Sequence, residues 1–289
     1  MAQSRVPDRE SKAVRFSLVK IVPPRTTCHH AFDTVIDTVE SGLVSLGHSV
    51  EVSNVPIFRN GTTPIVFGAN LIPDYFPGLV LPDNTIIYQL EQIGPGPFDR
   101  PEYYDLLRRH RVWEYSQTNQ KALAERGIES VHVPIGWAGC LKRVDRSVKR
   151  DIDVLFYGAI NPRRADILNR LSELRQIHVA IGVYGRALDL LLSRAKWVLN
   201  LHYYDANITE SVRLMYLVGN GVPVISEFGH DWEDWTGSHV QFVSSPVDVG
   251  LVDRIANQKI DHYCQQTGAE FVKSKNIVDI LEGALCKTS

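Results

Sequence analysis

The stretch ITESVRLMYLVGNGVPVISE, residues 208–227, decides the fold. Leu214, Met215, Leu217 and Val218 make its first half apolar nearly all round, which is the pattern of a helix buried on most sides. Gly219 and Gly221 bracket the stop, because glycine leaves a helix without the Cβ penalty other residues meet. VPVIS then reads as a short buried strand rich in β-branched residues. Just upstream, WVLNLHYYDAN (197–207) is a second apolar strand that opens into His202, Tyr203, Tyr204 and Asp205. A pair of buried elements with a polar, aromatic mouth predicts a ligand site at that mouth.

The same alternation runs outward in both directions. DVLFYGAI, IHVAIGV and KWVLNLH are predicted strands, and NPRRADILNRLSELR and GRALDLLLSRA are predicted helices. Toward the N-terminus, AVRFSLVKIV (13–22) is a first strand. AFDTVIDTVESGLVSLGH follows with Phe32, Val35, Ile36, Val39, Leu43 and Leu46 at helical spacing, and Gly47 stops it. SVEVSNV, TPIVFGAN, TIIYQLEQI, VWEYS and SVHVP are further strands, with helices in PEYYDLLRRHR and QTNQKALAERG. Strand alternating with helix specifies an α/β chain with mostly parallel sheets. IGWAGCLKRVDRSVKRD shows no core pattern and predicts a linker over 137–151. The expected architecture is two Rossmann-like domains, 13–136 and 152–260, facing across a cleft. Residues 1–12 read as a disordered tail, and 261–289 as helices able to pack back on the first domain.

Composition narrows the function. A chain of 289 residues with 44% hydrophobic content can build one large core or two ordinary ones. Its 31 basic and 33 acidic residues nearly cancel, so no general field favours nucleic acid or an anionic membrane. LLRRHR and LKRVDRSVKRD read as solvated faces. Cys28, Cys140, Cys264 and Cys286 are dispersed without a Cys-x-x-Cys, which argues against a disulfide or metal framework. The start MAQSRVPDRESKA is polar and no apolar run is long enough to cross a bilayer. The expectation is a cytoplasmic protein with no transmembrane segment.

Ligands of open α/β sheets sit at the carboxyl ends of the strands, so residues just after each strand matter most. FYGAINPRR places Gly158 there, with Arg163 and Arg164 in the next helical turn. Glycine lets backbone N–H groups approach an anion, and arginine can clamp a phosphate. In NLHYYDANITES, His202, Tyr203, Tyr204 and Asp205 can stack on a base, hydrogen-bond a sugar, or simply pack. Asn207 and Glu210 have capping-box-like spacing, and the helix start through Thr209, Glu210 and Ser211 would turn N–H groups into the crevice. Arg213 is the sharpest oddity, since an arginine in an apolar helix needs an anionic partner, either a carboxylate of the protein or a ligand phosphate. From the first half, PPRTTCHH offers His29 and His30 as a general base or as helix-capping residues, and YQLEQIGPGPF offers Glu91 as an alternative base or acceptor contact. DID (151–153) opens a strand at the linker, the wrong place for an Asp-x-Asp metal site, so no metal is expected. Trp232 and Trp235 in GHDWEDW either line a sugar pocket or pack the final helices.

GNGVPVIS after a helix resembles the donor-binding region of GT-B glycosyltransferases. FYGAINPRR, NLH and an arginine ahead of a glycine-ended helix, here Arg213, resemble the CgeB-like group of glycosyltransferase group 1 proteins over about residues 152–230. VWEYSQTNQKALAERGIESVHVPIG is similar to the segment that closes many GT-B N-domains. The resemblance implies the GT-B fold, a nucleoside diphosphate sugar as co-substrate, no other cofactor and no metal requirement. It implies donor contacts from Gly158, Arg163, Arg164, His202, Tyr203, Tyr204, Asn207, Thr209, Glu210, Ser211 and Arg213, and an acceptor of unstated kind held by the first half. The group's Glu-x7-Glu pair is absent, and Tyr216 stands where the ribose-holding Glu falls. Two rivals follow: a non-catalytic nucleotide-sugar-binding or partner subunit, and a sugar-nucleotide epimerase.

Overall fold

The computed structural model describes residues 13–96, 99–204, 207–244, 250, 253, 255 and 260–287. The tail at 1–12 and Asp205 lie outside the described residues. Two all-parallel sheets organise the chain. The first contains β1 (Arg15–Lys20), β2 (Ser49–Ser53), β3 (Thr63–Phe67), β4 (Ile86–Gln89), β5 (Arg111–Glu114) and β6 (Val131–His132), in the order β2-β1-β3-β4-β5-β6. The second contains β7 (Ile152–Tyr157), β8 (Ile177–Ala180), β9 (Ala195–Asn200), β10 (Val224–Glu227) and β11 (Gln241–Val243), in the order β11-β10-β9-β7-β8. Each sheet reverses its winding beside its first strand, between β1 and β3 and between β7 and β9. Loops leave in opposite directions at such a point and open a crevice.

Helices cover both faces. Those among the described residues are α1 (Asp33–Ser45), α2 (Ile72–Tyr75), α3 (Pro101–Arg109), α4 (Gln117–Ala124), α5 (Pro162–Ser172), α6 (Gly185–Arg194), α7 (Ser211–Gly219), α8 (Asp261–Phe271) and α9 (Ile277–Lys287). Burial on two faces explains the apolar runs of the central strands. Leu18, Val19, Ile65, Val66, Val198 and Leu199 are all completely buried. In the opening stretch, α7 ends at Gly219, the chain turns at Gly221 with φ +67°, and β10 follows.

Three local expectations change. The capping box does not form: Asn207 has φ +50°, α7 starts after Glu210, and no side chain caps it. Glu210 is claimed instead by Asn200 and His202. PPRTTCHH is not all loop, since Cys28–Phe32 form a 3-10 turn that leads into α1. The segment 137–151 anchors itself in the core at a few points while most of its residues are exposed. Ala138, Leu141 and Val144 are buried, and Asn220 Oδ1 accepts from the Arg143 and Val144 backbone N–H groups at 3.0 Å. Arg146 is buried too, donating to the carbonyls of Leu192 and Ala195 and pairing with Asp261. Isolated apolar residues and backbone groups make these contacts, so no periodicity announces them.

On the side away from the crevice the packing is close. A Cβ at Gly219 would stand 2.1 Å from the Trp137 ring, and one at Gly42 would stand 2.7 Å from Leu281 of α9. Glycine at these two positions lets α7 meet residue 137 and α1 meet α9.

Candidate functional site

The crevice is a cavity of about 620 Å³ between the carboxyl ends of the two sheets. Lys20, His30, Asp33 and Glu91 face it from the first half; Gly158, Asp189, Glu210, Ser211, Arg213 and Tyr216 face it from the second.

The second-half wall is built around Arg213. Its Nη1 donates to Asn200 Oδ1 at 2.9 Å, and its guanidinium lies over the Tyr157 ring, 4.6 Å from the centroid. Gly158 follows Tyr157 with φ +133°, and a Cβ there would come within 2.9 Å of Arg213 Nη2. The backbone angle favours glycine, and the missing Cβ leaves room for the Arg213 guanidinium in its present place. Among the described residues no carboxylate stands within ion-pair distance of Arg213. Asn200 also donates to Glu210 Oε2 at 3.0 Å and to Ser226 at 2.9 Å. His202 Nδ1 lies 3.2 Å from Glu210 Oε1, and its Nε2 lies 2.9 Å from the Phe228 carbonyl. Both ring nitrogens face acceptors, so the ring fits as imidazolium. Burial works against that charge, but the Glu210 contact outweighs it and raises the His202 pKa. Burial likewise opposes the Glu210 anion, and His202, Arg213 and Asn200 together bring its pKa below the ordinary value.

Arg163 and Arg164 do not form the phosphate clamp expected of them. Neither lines the cavity. Arg163 is ion-paired to the buried Glu227 and donates to the His202 carbonyl at 3.2 Å. Arg164 is buried and donates to the carbonyls of Ala159 at 2.7 Å, His202 at 3.2 Å and Leu201. Burial and then the neighbouring Arg213 charge push its pKa down to about 10. The first turn of α5 is turned against the carbonyls that follow β7 and β9 and against the Glu227 carboxylate at the end of β10. Tyr203 stacks beneath Arg164, 5.0 Å from its guanidinium, while Tyr204 lines the cavity. Thr209 donates to the His230 carbonyl at 2.7 Å, and Asn207 accepts from the His230 N–H at 2.8 Å, so both stitch a loop. Trp235 stacks on Phe271 of α8 with centroids 5.5 Å apart, and Trp232 packs on Phe228 and Phe242. Both tryptophans pack the fold.

The first-half wall carries an oriented histidine. His30 Nδ1 lies 2.7 Å from Asp33 Oδ2, and Asp33 Oδ1 pairs with Lys20 at 2.5 Å. That bond places the proton on Nδ1 and the lone pair on Nε2. His29 lies against the His30 ring, 4.3 Å between centroids, but does not line the cavity. Glu91 does line it, and burial pushes its pKa up to about 7. A polar network fixes its loop. The Glu91 carbonyl accepts from Gln89 at 2.6 Å and Asn119 at 2.8 Å, and the buried Glu114 accepts from the same two side chains. Burial raises Glu114 to about 8. The sequence reading missed Asp33, Lys20, Glu114 and Asp189; a Glu closing the apolar VWEYS strand was the available signal for Glu114.

No family model matches the chain. Among solved structures, AviGT4, a glycosyltransferase involved in avilamycin A biosynthesis, superposes with a TM-score of 0.63 at 15% identity, covering 95% of this chain and 97% of that one. The protein has the GT-B fold. Anabaena HepE in complex with UDP and glucose gives a TM-score of 0.58 at 10% identity, over 94% of this GT-B chain and 99% of that one. WaaG, a glycosyltransferase involved in lipopolysaccharide biosynthesis, gives 0.54 at 14% identity over 94% and 98%. By sequence the chain is similar to uncharacterised proteins of Acanthamoeba polyphaga mimivirus. One is 25% identical over 155 residues, 50% of this chain and 49% of that protein; another is 31% identical over 124 residues, 42% of each. The chain thus spans about half or less of the length of the curated relatives it matches. Among the described residues no helix is long and apolar enough to cross a membrane.

Proposed function

We propose that this GT-B protein transfers a sugar from a nucleoside diphosphate sugar to a hydroxyl-bearing acceptor, without a metal ion. The observation that carries the reading is Arg213: a cation at the cavity wall, beside Gly158, hydrogen-bonded to Asn200 and, among the described residues, with no carboxylate within ion-pair distance, Glu210 acting on it only from further away. A half-buried guanidinium in that state is matched to an anion supplied by the ligand. Ser211 at the start of α7 adds N–H groups and helix dipole on the same wall. In the reaction the acceptor oxygen bonds to the anomeric carbon and the bond from that carbon to the diphosphate oxygen breaks. The electron pair leaves with the diphosphate, where Arg213 stabilises it. The acceptor proton passes to His30 Nε2, with Asp33 holding the ring in the accepting tautomer.

Titration with UDP, GDP, dTDP and UDP-glucose tests the site, beginning with UDP because HepE holds it. Ligand at roughly 100 times its dissociation constant should add about 2.7 kcal/mol of stability. Arg213→Gln is expected to weaken UDP about ten- to a hundredfold while uridine binding changes little, the worth of one charge-assisted contact. EDTA is expected to leave binding unchanged. No thermal response to any nucleoside diphosphate overturns the reading. Release of UDP from a UDP-sugar by the purified protein separates an enzyme from a binding subunit; a changed nucleotide sugar formed without acceptor identifies an epimerase.

A further inference from the structure

One buried charge at the cavity has no part in holding the donor. Lys20 is the last residue of β1, a strand buried throughout after Arg15, and β1 stands where the first sheet reverses its winding. The Lys20 side chain is only 7% exposed, and lysine is almost never buried that far without a partner. Its partner is Asp33 in the first turn of α1. Nζ lies 2.5 Å from Oδ1, while Oδ2 of the same carboxylate lies 2.7 Å from His30 Nδ1. One carboxylate therefore stands between an ammonium and an imidazole. The other titratable and charged neighbours are few. His29 lies 4.3 Å from the His30 ring, and Tyr184, just before α6 in the second half, lies 5.5 Å from it. Asp37, one turn further along α1, pairs with Arg143 at 3.2 Å and acts on Asp33 and Lys20 only from further away.

We propose that Lys20 is a positioning residue for the transfer: by pairing with Asp33 it balances the carboxylate that faces His30, and so leaves that ring free to take the acceptor proton. This rests on the proposed role of His30 as base in the same cavity. A carboxylate bonded to Nδ1 favours the imidazolium, because an opposite charge within about 4–6 Å stabilises the charged form. An imidazolium has donors on both nitrogens and no lone pair on Nε2, so it cannot act as a base. The ammonium opposes this twice. It offsets the Asp33 charge, and as a like charge close by it disfavours a second cation. The same influence reaches the neighbouring ring: burial first, then the His30 and Lys20 charges, lower the His29 pKa. In the step itself the Nδ1 proton stays in place, the acceptor proton goes to Nε2, and the imidazolium so formed keeps its contact with Asp33.

The test is the pH profile of UDP release from UDP-glucose by the full chain, with UDP affinity measured by calorimetry. Lys20→Met keeps the apolar stem and removes the charge. It is expected to move the acid limb of the profile upward by about one pH unit, so that turnover falls about tenfold on the acid side and returns to within about twofold of wild type at high pH. KM for UDP-glucose and UDP affinity should stay within about twofold. Lys20→Arg keeps the charge and should keep the wild-type limb. Lys20→Gln offers Asp33 an N–H donor without the charge; it should follow Lys20→Met, and it replaces that variant if methionine prevents folding. A limb that stays in place in the neutral variants overturns the proposal, and an equal loss at every pH makes Lys20 only an anchor for Asp33. A tenfold loss of UDP affinity in Lys20→Met assigns the ammonium to the diphosphate and overturns it as well. In each of these cases UDP binding that depends on Arg213 keeps the donor reading. A wild type that binds UDP but releases none from UDP-glucose ends the base and this proposal while the donor site stands; failure to bind any nucleotide ends all three.

Discussion

His29 and His30 are neighbours on one 3-10 turn, and a small rotation separates their chemistry. His30 faces the cavity with Nδ1 tied to Asp33, which leaves Nε2 for the proposed role of base; His29 lies tilted against the His30 ring and does not line the cavity. Burial lowers the His29 pKa below the ordinary value. His30→Ala is expected to lower turnover with a UDP-sugar by roughly a hundredfold or more and to change UDP affinity little. His29→Ala should leave turnover within about twofold. Steady-state rates of UDP release check both. Unchanged turnover in the His30 variant would move the base to Glu91, whose pKa of about 7 also suits proton transfer near neutrality. Glu91→Gln would then be the variant that loses the reaction.

The start of α7 shows how an element carries the site. Glu210 immediately precedes the helix, and its carboxylate joins Asn200 of β9 to His202 beyond that strand, beside Arg213. The His202 pKa is raised above 6.5 and the Glu210 pKa lies below 4.5. The His202 contribution to stability is therefore complete below about 6.5 and is lost as pH rises through its folded value. The Glu210 contribution is complete above about 4.5 and is lost as pH falls through its folded value. The pair stabilises most between those limits. Glu91 and Glu114, raised by burial, also erode stability as pH rises, so the informative quantity is wild type minus variant. His202→Gln is expected to flatten the alkaline fall of the melting temperature measured from pH 5 to 9; an identical fall in both proteins refutes the coupling. The order of strands and helices was legible because doubly covered strands are apolar runs and α7 ends at a glycine. Arg213 was legible too, as the charge in an apolar helix. Arg163 and Arg164 were not, since a sequence does not show which carbonyls will surround a first-turn arginine. Asp189 was hidden because its partner lies 27 residues away on another helix.

Across the whole molecule, the two halves meet through two unlike sets of contacts. On one side close apolar packing, with Trp137 against Gly219 and Leu281 against Gly42, is reinforced by the Asn220 bonds to the Arg143 and Val144 N–H groups. On the other it is polar. Gln92 exchanges two hydrogen bonds with the Ile208 backbone, at 3.1 and 3.3 Å. Asp231, held at φ +63°, accepts from the Thr118 hydroxyl at 2.6 Å, from the Thr118 N–H at 3.3 Å and from Ser116 at the start of α4. Apolar contacts resist separation, whereas part-buried polar ones can exchange partners with water at a small net cost. The polar side is therefore expected to open when substrate enters, with the Trp137 side as hinge. Asp231→Ala should favour an open, ligand-free form: a larger radius of gyration in solution scattering, a several-fold higher KM for the sugar nucleotide, and restoration of the wild-type radius by saturating UDP. If Asp231 only caps α4, the variant instead loses about 1 kcal/mol of stability with its radius and KM unchanged.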